Sequence, residues 1–93
     1  MDGALFIVRM AYWVYILQSE QDGSFYVGCT SDLRERIERH NHGRSPYTKA
    51  KAPWKLIYQE ETGSRSEASR REREIKEKKN RAFIEQLVRA SRA

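Results

Sequence analysis

The chain has 93 residues, a single cysteine (Cys29) and a formal net charge of +5 at pH 7. That length suits one small domain whose core holds one layer of sheet and a few helices. A lone cysteine excludes an intramolecular disulfide and a cysteine-rich zinc site and fits a reducing, cytoplasmic compartment; no run reaches the ~20 apolar residues of a membrane span.

The opening MDGALFIVRM begins acidic and ends basic, the reverse of a secretory signal. It reads as an extension or leader (1–10) before a domain over 11–90. AYWVYILQS, residues 11–19, is rich in aromatic and β-branched residues and predicts a strand. Asp22-Gly23 marks a turn, and SFYVGCT, residues 24–30, predicts a second strand in a hairpin whose register the loop leaves open. Ser31 or Asp32 can cap a helix running to about Asn41, with Leu33 and Ile37 as its apolar stripe. HGRSPYTKAKAP, residues 42–53, reads as a basic loop. WKLIYQE, residues 54–60, predicts a third strand, and Ser64 or Ser66 caps the next helix. Asn80 caps a last helix with an apolar face of Phe83, Ile84, Leu87 and Val88. The expected order is β-β-α-β-α-α, an α+β domain with one small antiparallel sheet covered by helices.

Three placements run against packing. Arg36 and His40 follow Leu33 by three and seven residues, on or beside the apolar stripe. Arg36 either meets an anion or snorkels along the sheet edge. Tyr12, Trp13, Tyr15, Phe25 and Tyr26 crowd the strands, and a small core offers few partners for several phenols. Tyr26 and Gly28 share a strand face, and a strand glycine often marks the close approach of another group. Finally, Ala68, Glu72 and Ile75 lie within roughly 60° on one helix. Glu72 either pairs with Arg36 or another cation, or is a ligand for a hard divalent metal. Basic charge points to an anionic partner, nucleic acid first, with solubility as the plain alternative. A phenol, a guanidinium, an imidazole and a carboxylate on one surface are equipment for cutting a phosphodiester.

Read in order, these residues resemble a known family. WVY (13–15) and YVG (26–28) are similar to the paired tripeptides of the GIY-YIG nuclease domain. Thr30 and SDLRER (31–36) continue the match, and RREREIK (70–76) resembles the helix carrying the family's metal-binding glutamate. Trp13 stands where the family name has glycine. Asn41, Gly43, Tyr47, Thr48, Pro53, Leu56, Tyr58 and Glu60 follow the pattern of the small stand-alone UPF0213 subfamily.

The resemblance implies a three-stranded antiparallel sheet flanked by three helices, and metal-dependent hydrolysis of DNA. It implies Tyr26 as activator of the attacking water, Tyr15 as its support, Arg36 on the phosphoryl charge and His40 near the scissile phosphate. Glu72 would be the protein's one direct ligand to a single Mg²⁺ (or Mn²⁺). A phenol's ordinary pKa of ~10 makes it a poor base at neutral pH unless cations stand close. Lys49, Lys51, Arg71 and Lys76 are expected to hold DNA without regard to sequence, and Tyr47 to stack on an unpaired base. The substrate would be branched or single-stranded DNA, with a protein partner in repair supplying specificity. The alternative is a nucleic-acid-binding module or repair subunit that keeps the fold and cuts little.

Overall fold

A computed structural model describes residues 11–78 and 80–92, so the leader expected over 1–10 lies outside the described residues. Strand β1 (Tyr12–Ser19) pairs antiparallel with both β2 (Phe25–Thr30) and β3 (Trp54–Thr62), giving the order β2-β1-β3. The central position of β1 explains why Val14, Tyr15, Ile16 and Leu17 are all 0% exposed despite pointing alternately to opposite faces. Val14 and Ile16 pack with Val27, Ala68, Ile75 and Ile84, whereas Tyr15 and Leu17 pack with Trp54 on the other face.

The hairpin turn spans residues 20–24, longer than the two-residue turn that Asp22-Gly23 suggests. Gly23 takes φ +75°, and its amide donates to the Ser19 carbonyl at 2.9 Å. Asp22 Oδ1 accepts from the Ser24 amide at 2.9 Å, closing the turn with an Asx contact. This sets Tyr15 opposite Gly28 and Leu17 opposite Tyr26. Between β1 and β3 the register shifts at Ile16/Leu17, which pair with Tyr58 and Leu56. The extra residue, Ile57, bulges and turns with Tyr58 toward the Val14 face.

Helix α1 (Leu33–Asn41) starts at Asp32, whose carboxylate accepts from the Glu35 amide at 3.1 Å. One turn of helix, α2 (Pro46–Lys49), interrupts the segment that reads as loop, with Pro46 suited to a first helical turn. Helix α3 (Arg65–Lys78) starts at Ser64, whose hydroxyl accepts from the Glu67 amide at 3.2 Å; Glu67 reaches back to the Gly63 amide at 3.1 Å. Helix α4 (Arg81–Ser91) is capped by Asn80, which accepts from the Ala82 and Phe83 amides at 2.9 and 3.3 Å. That contact gives Asn80 a capping role. The expected order β-β-α-β-α-α stands, with α2 added inside the third connection. Among the described residues no helix is long and apolar enough to cross a membrane.

The two faces differ in chemistry. Helices α3 and α4 cover the aliphatic face, and α1 and α2 cover the face of Tyr15. Strand β2 is an edge, so a groove runs along it between the two helical layers.

Candidate active site

The site begins with a space only glycine leaves. A Cβ on Gly28 would lie 2.6 Å from Tyr15 Oη and 2.7 Å from its Cζ. Tyr15 therefore reaches across β2 because residue 28 lacks a side chain. Its hydroxyl contacts His40 Nε2 at 3.1 Å, and His40 Nδ1 contacts Thr48 Oγ1 at 2.7 Å. The Thr48 hydroxyl donates weakly to the Ser45 carbonyl at 3.4 Å. Thr48 oxygen then accepts from His40 Nδ1–H, and Nε2 carries the lone pair that accepts from Tyr15. Tyr15 and Thr48 are 0% exposed and His40 is 1% exposed, so each polar atom in this chain depends on its neighbour.

Burial pushes the Tyr15 phenol well above its ordinary range, and Tyr26 and Glu72 add to the rise while the Arg36 guanidinium opposes it. Burial also lowers the His40 pKa, helped by Arg36 and Arg39 and opposed by Glu35. His40 is thus a neutral imidazole at pH 7, able to accept a proton.

Two further residues hold this arrangement. Trp54 Nε1 donates to the Thr48 carbonyl at 2.9 Å, fixing α2 against the sheet. The Trp54 amide donates to Asn41 Oδ1 at 2.5 Å, and Asn41 Nδ2 donates to the Trp54 carbonyl at 3.2 Å. Neither Thr48, Trp54 nor Asn41 stands out by charge or periodicity. Thr48 and Asn41 belong to the subfamily pattern, which is the signal that could have raised them.

Tyr26 lies over this polar core. Its ring centroid is 4.6 Å from His40, 6.2 Å from Tyr15 and 6.0 Å from Tyr47. Unlike Tyr15 it is only partly buried, and its hydroxyl makes no hydrogen bond among the described residues. Tyr47 is 73% exposed, the one large exposed hydrophobic among the described residues. Tyr47, Tyr26 and Lys76 line one stretch of the groove along the β2 edge.

Arg36 projects from α1 beside Tyr15. Its Nε is buried without a hydrogen-bond partner among the described residues, and Glu35 Oε1 stands 3.9 Å away, beyond bonding distance. Glu72 approaches from the opposite layer, on α3 between the buried Ala68 and Ile75. Its side chain is 22% exposed, and Oε2 meets Lys76 Nζ at 2.5 Å. Lys76, not Arg36, is therefore the cation that Glu72 takes. Glu72 also neighbours Cys29, whose thiol pKa is raised first by burial and then by that carboxylate. The site thus wraps around the β2 edge: Tyr15, Tyr26, Arg36 and His40 on one side, Glu72 on the other.

The expected DNA-contacting cations fall into separate groups. Lys76 and the exposed Lys49 lie on the groove or on α2 beside it. Lys51 stands 3.6 Å from Asp22 at the hairpin turn. Arg71 faces the aliphatic layer instead, bonded to Glu60 at 3.2 Å and Glu74 at 3.4 Å. Arg71, expected at a nucleic-acid surface, meets Glu60, which β3 presents on the α3 side.

The family model described as the GIY-YIG catalytic domain matches residues 11–86. UPF0213 proteins of Staphylococcus aureus strains Mu3 and N315 are each 45% identical over 67 residues, spanning 71% of this chain and 80% of theirs. The solution NMR structure of a UPF0213 protein from Bacillus halodurans is 39% identical, with a TM-score of 0.55 over 87% of this chain and 85% of that one.

Proposed function

The chain belongs to the GIY-YIG nuclease family, and from that premise we propose that it is a Mg²⁺-dependent endonuclease acting on DNA phosphodiesters at the β2 edge. The observation that carries this reading is the contrast between two tyrosines. Tyr15 is buried and bonded to neutral His40, whereas the Tyr26 hydroxyl above it makes no hydrogen bond among the described residues.

In this reading a phosphodiester enters the groove beside Tyr26. Tyr26 orients the attacking water, and the proton that water loses as the new P–O bond forms passes to solvent in the open groove. Tyr15 and His40 pack against the Tyr26 ring and hold it in place. Arg36 stabilises the negative charge that grows on the phosphoryl oxygens. One P–O ester bond breaks, and its alkoxide leaves with a proton from solvent.

Among the described residues no three His, Cys, Asp or Glu side chains converge as a metal site. A lone carboxylate still fits Mg²⁺, which keeps several waters and shares the substrate's phosphate. Glu72 would hold the ion, with Lys76 yielding its place beside Oε2. When bound, the ion would supply Lewis-acid stabilisation of the phosphoryl group.

The substrate is proposed to be branched or single-stranded DNA, met in the cytoplasm and in repair, with a protein partner adding specificity. The Lys76–Glu72 pair favours one second reading, a binding module. It already neutralises the carboxylate that would otherwise repel phosphate.

The test is incubation of the protein with flapped, branched and single-stranded DNA in Mg²⁺ or EDTA, beside Glu72→Ala and Tyr26→Phe. Cleavage is expected only with Mg²⁺, falling at least about 100-fold in each variant. Cleavage that survives EDTA and Glu72→Ala overturns the metal mechanism. Binding without cleavage in any metal selects the binding module.

A further inference from the structure

A second pocket opens at the other end of the β2 edge. It has a volume of about 310 Å³, enough for a phosphodiester group with water, and its lining includes Cys29, Ser31, Arg36, Arg65 and Ser69. Cations enter it from both helical layers. Arg36 comes from α1, and Arg65 comes from the first residue of α3.

Two carboxylates close to them, Glu35 and Glu72, are committed to other cations. Glu35 gives Oε2 to Arg39 Nε and Nη2 at 3.2 and 3.0 Å and leaves Arg36 Nε at 3.9 Å. Glu72, the carboxylate beside Cys29, is held by Lys76. Arg65 forms no ion pair among the described residues. Among the described residues Arg36 Nε–H is a buried donor without an acceptor, and folding does not leave such groups unpaired without a reason. Ser31 adds a hydroxyl and Ser69 another beside the Cys29 thiol, whereas Thr30 spends its own on the Asp32 backbone at 3.1 and 3.3 Å. The pocket therefore suits an anion that accepts several hydrogen bonds from guanidinium and hydroxyl groups, as a phosphate does.

Position gives the anion's source. Tyr26 and Thr30 are four residues apart on one edge strand, about 13 Å at 3.3 Å per residue. The pocket therefore lies beyond the groove stretch of Tyr26, Tyr47 and Lys76, with Glu72 close to both stretches. We propose that the Arg36–Arg65–Ser69 pocket is a phosphate subsite for a neighbouring phosphodiester of the same nucleic-acid strand that presents its scissile phosphate at Tyr26. It rests on the nuclease reading for that strand, but its anion chemistry does not depend on cleavage. Arg65 and Ser69 fix the register of the strand, and Arg36 stands between the two phosphates.

Two measurements test the subsite on the full chain. In the first, inorganic phosphate is titrated into ¹⁵N-labelled protein and Arg65→Gln. The amides of Cys29, Ser31 and Ser69 are expected to shift, with affinity weakened at least about fivefold in the variant. Arg65 is exposed, so the variant keeps the fold, which the unshifted remainder of its spectrum verifies. In the second, binding of a single-stranded oligonucleotide is followed against salt. Arg65→Gln is expected to lower the log–log slope by about one, and Tyr26→Phe to leave it unchanged.

Phosphate shifts that ignore Arg65→Gln, or that fall only around Lys49 and Lys51, overturn the subsite. Phosphate binding with an unchanged oligonucleotide slope overturns its assignment to a nucleic-acid strand. Cleavage without either effect sinks the subsite and leaves the nuclease reading standing. Both effects without cleavage do the reverse.

Discussion

The two faces of the sheet are built by one strand and serve different ends. On the side of α3 and α4, Val14, Ile16, Val27, Ala68, Ile75 and Ile84 meet through aliphatic carbon. On the side of α1 and α2, Tyr15, His40, Thr48 and Trp54 meet through hydrogen bonds between 2.7 and 3.1 Å. Aliphatic packing is non-directional, so it tolerates small shifts and contributes mainly stability. A buried polar chain is directional, and each lost partner leaves another atom unsatisfied. The lesson is that a domain this small separates the two tasks by the period-two alternation of its central strand.

That separation can be broken from either side. Ile75→Ala removes a nearly fully buried side chain from the aliphatic face. It is expected to cost about 2–5 kcal/mol in urea unfolding while folded protein keeps its DNA affinity. A fall in affinity of the folded fraction would show that the faces are not independent. Gly28→Ala should come next, at about 1–3 kcal/mol, because its Cβ would drive Tyr15 Oη off His40. Its His40 imidazole signals are expected to move in NMR, which a purely local strand effect would not produce.

Thr48→Val should cost about 1–2 kcal/mol by leaving His40 Nδ1 without its partner. The sharper readout is the pH profile of cleavage, whose acid limb should move when the imidazole is no longer held in one tautomer. Rescue by Thr48→Ser would separate the hydroxyl from the volume.

Acid should reach the polar face through His40. Its folded pKa is depressed, so below the unfolded value of about 6.5 the unfolded chain binds a proton that the folded chain refuses. Stability from this group is therefore full above about pH 6.5 and declines as pH falls through that value. His40→Gln should flatten the decline in chemical denaturation at pH 7 and pH 5. The smallest effect belongs to Arg71, which faces the aliphatic layer. Arg71→Ala should leave the salt slope of DNA binding unchanged and cost only about 1 kcal/mol through the lost Glu60 and Glu74 contacts.

Much of the fold was legible because its signals are local. The aromatic and β-branched run over 11–19, Asp32, Ser64 and Asn80 as caps, and the apolar face of α4 all act within a few residues. The turn of α2 was hidden by glycine, proline and basic residues around it; Thr48 and Trp54 hold it from outside the local pattern. The strand glycine announced a close approach, but what approaches is Tyr15, thirteen residues earlier in the chain.

By itself the sequence determined the strand character of β1, the helix starts and the presence of a phenol, an imidazole, a guanidinium and a carboxylate in one family order. Tertiary structure alone decided which of them touch. It joined Tyr15 to His40 across 25 residues, gave Thr48 the far imidazole nitrogen and gave Glu72 to Lys76 instead of Arg36. The physical reason is range. Caps and periodicity depend on the backbone within a turn or two, whereas pairing of buried polar atoms depends on where whole elements settle when the two faces close on β1.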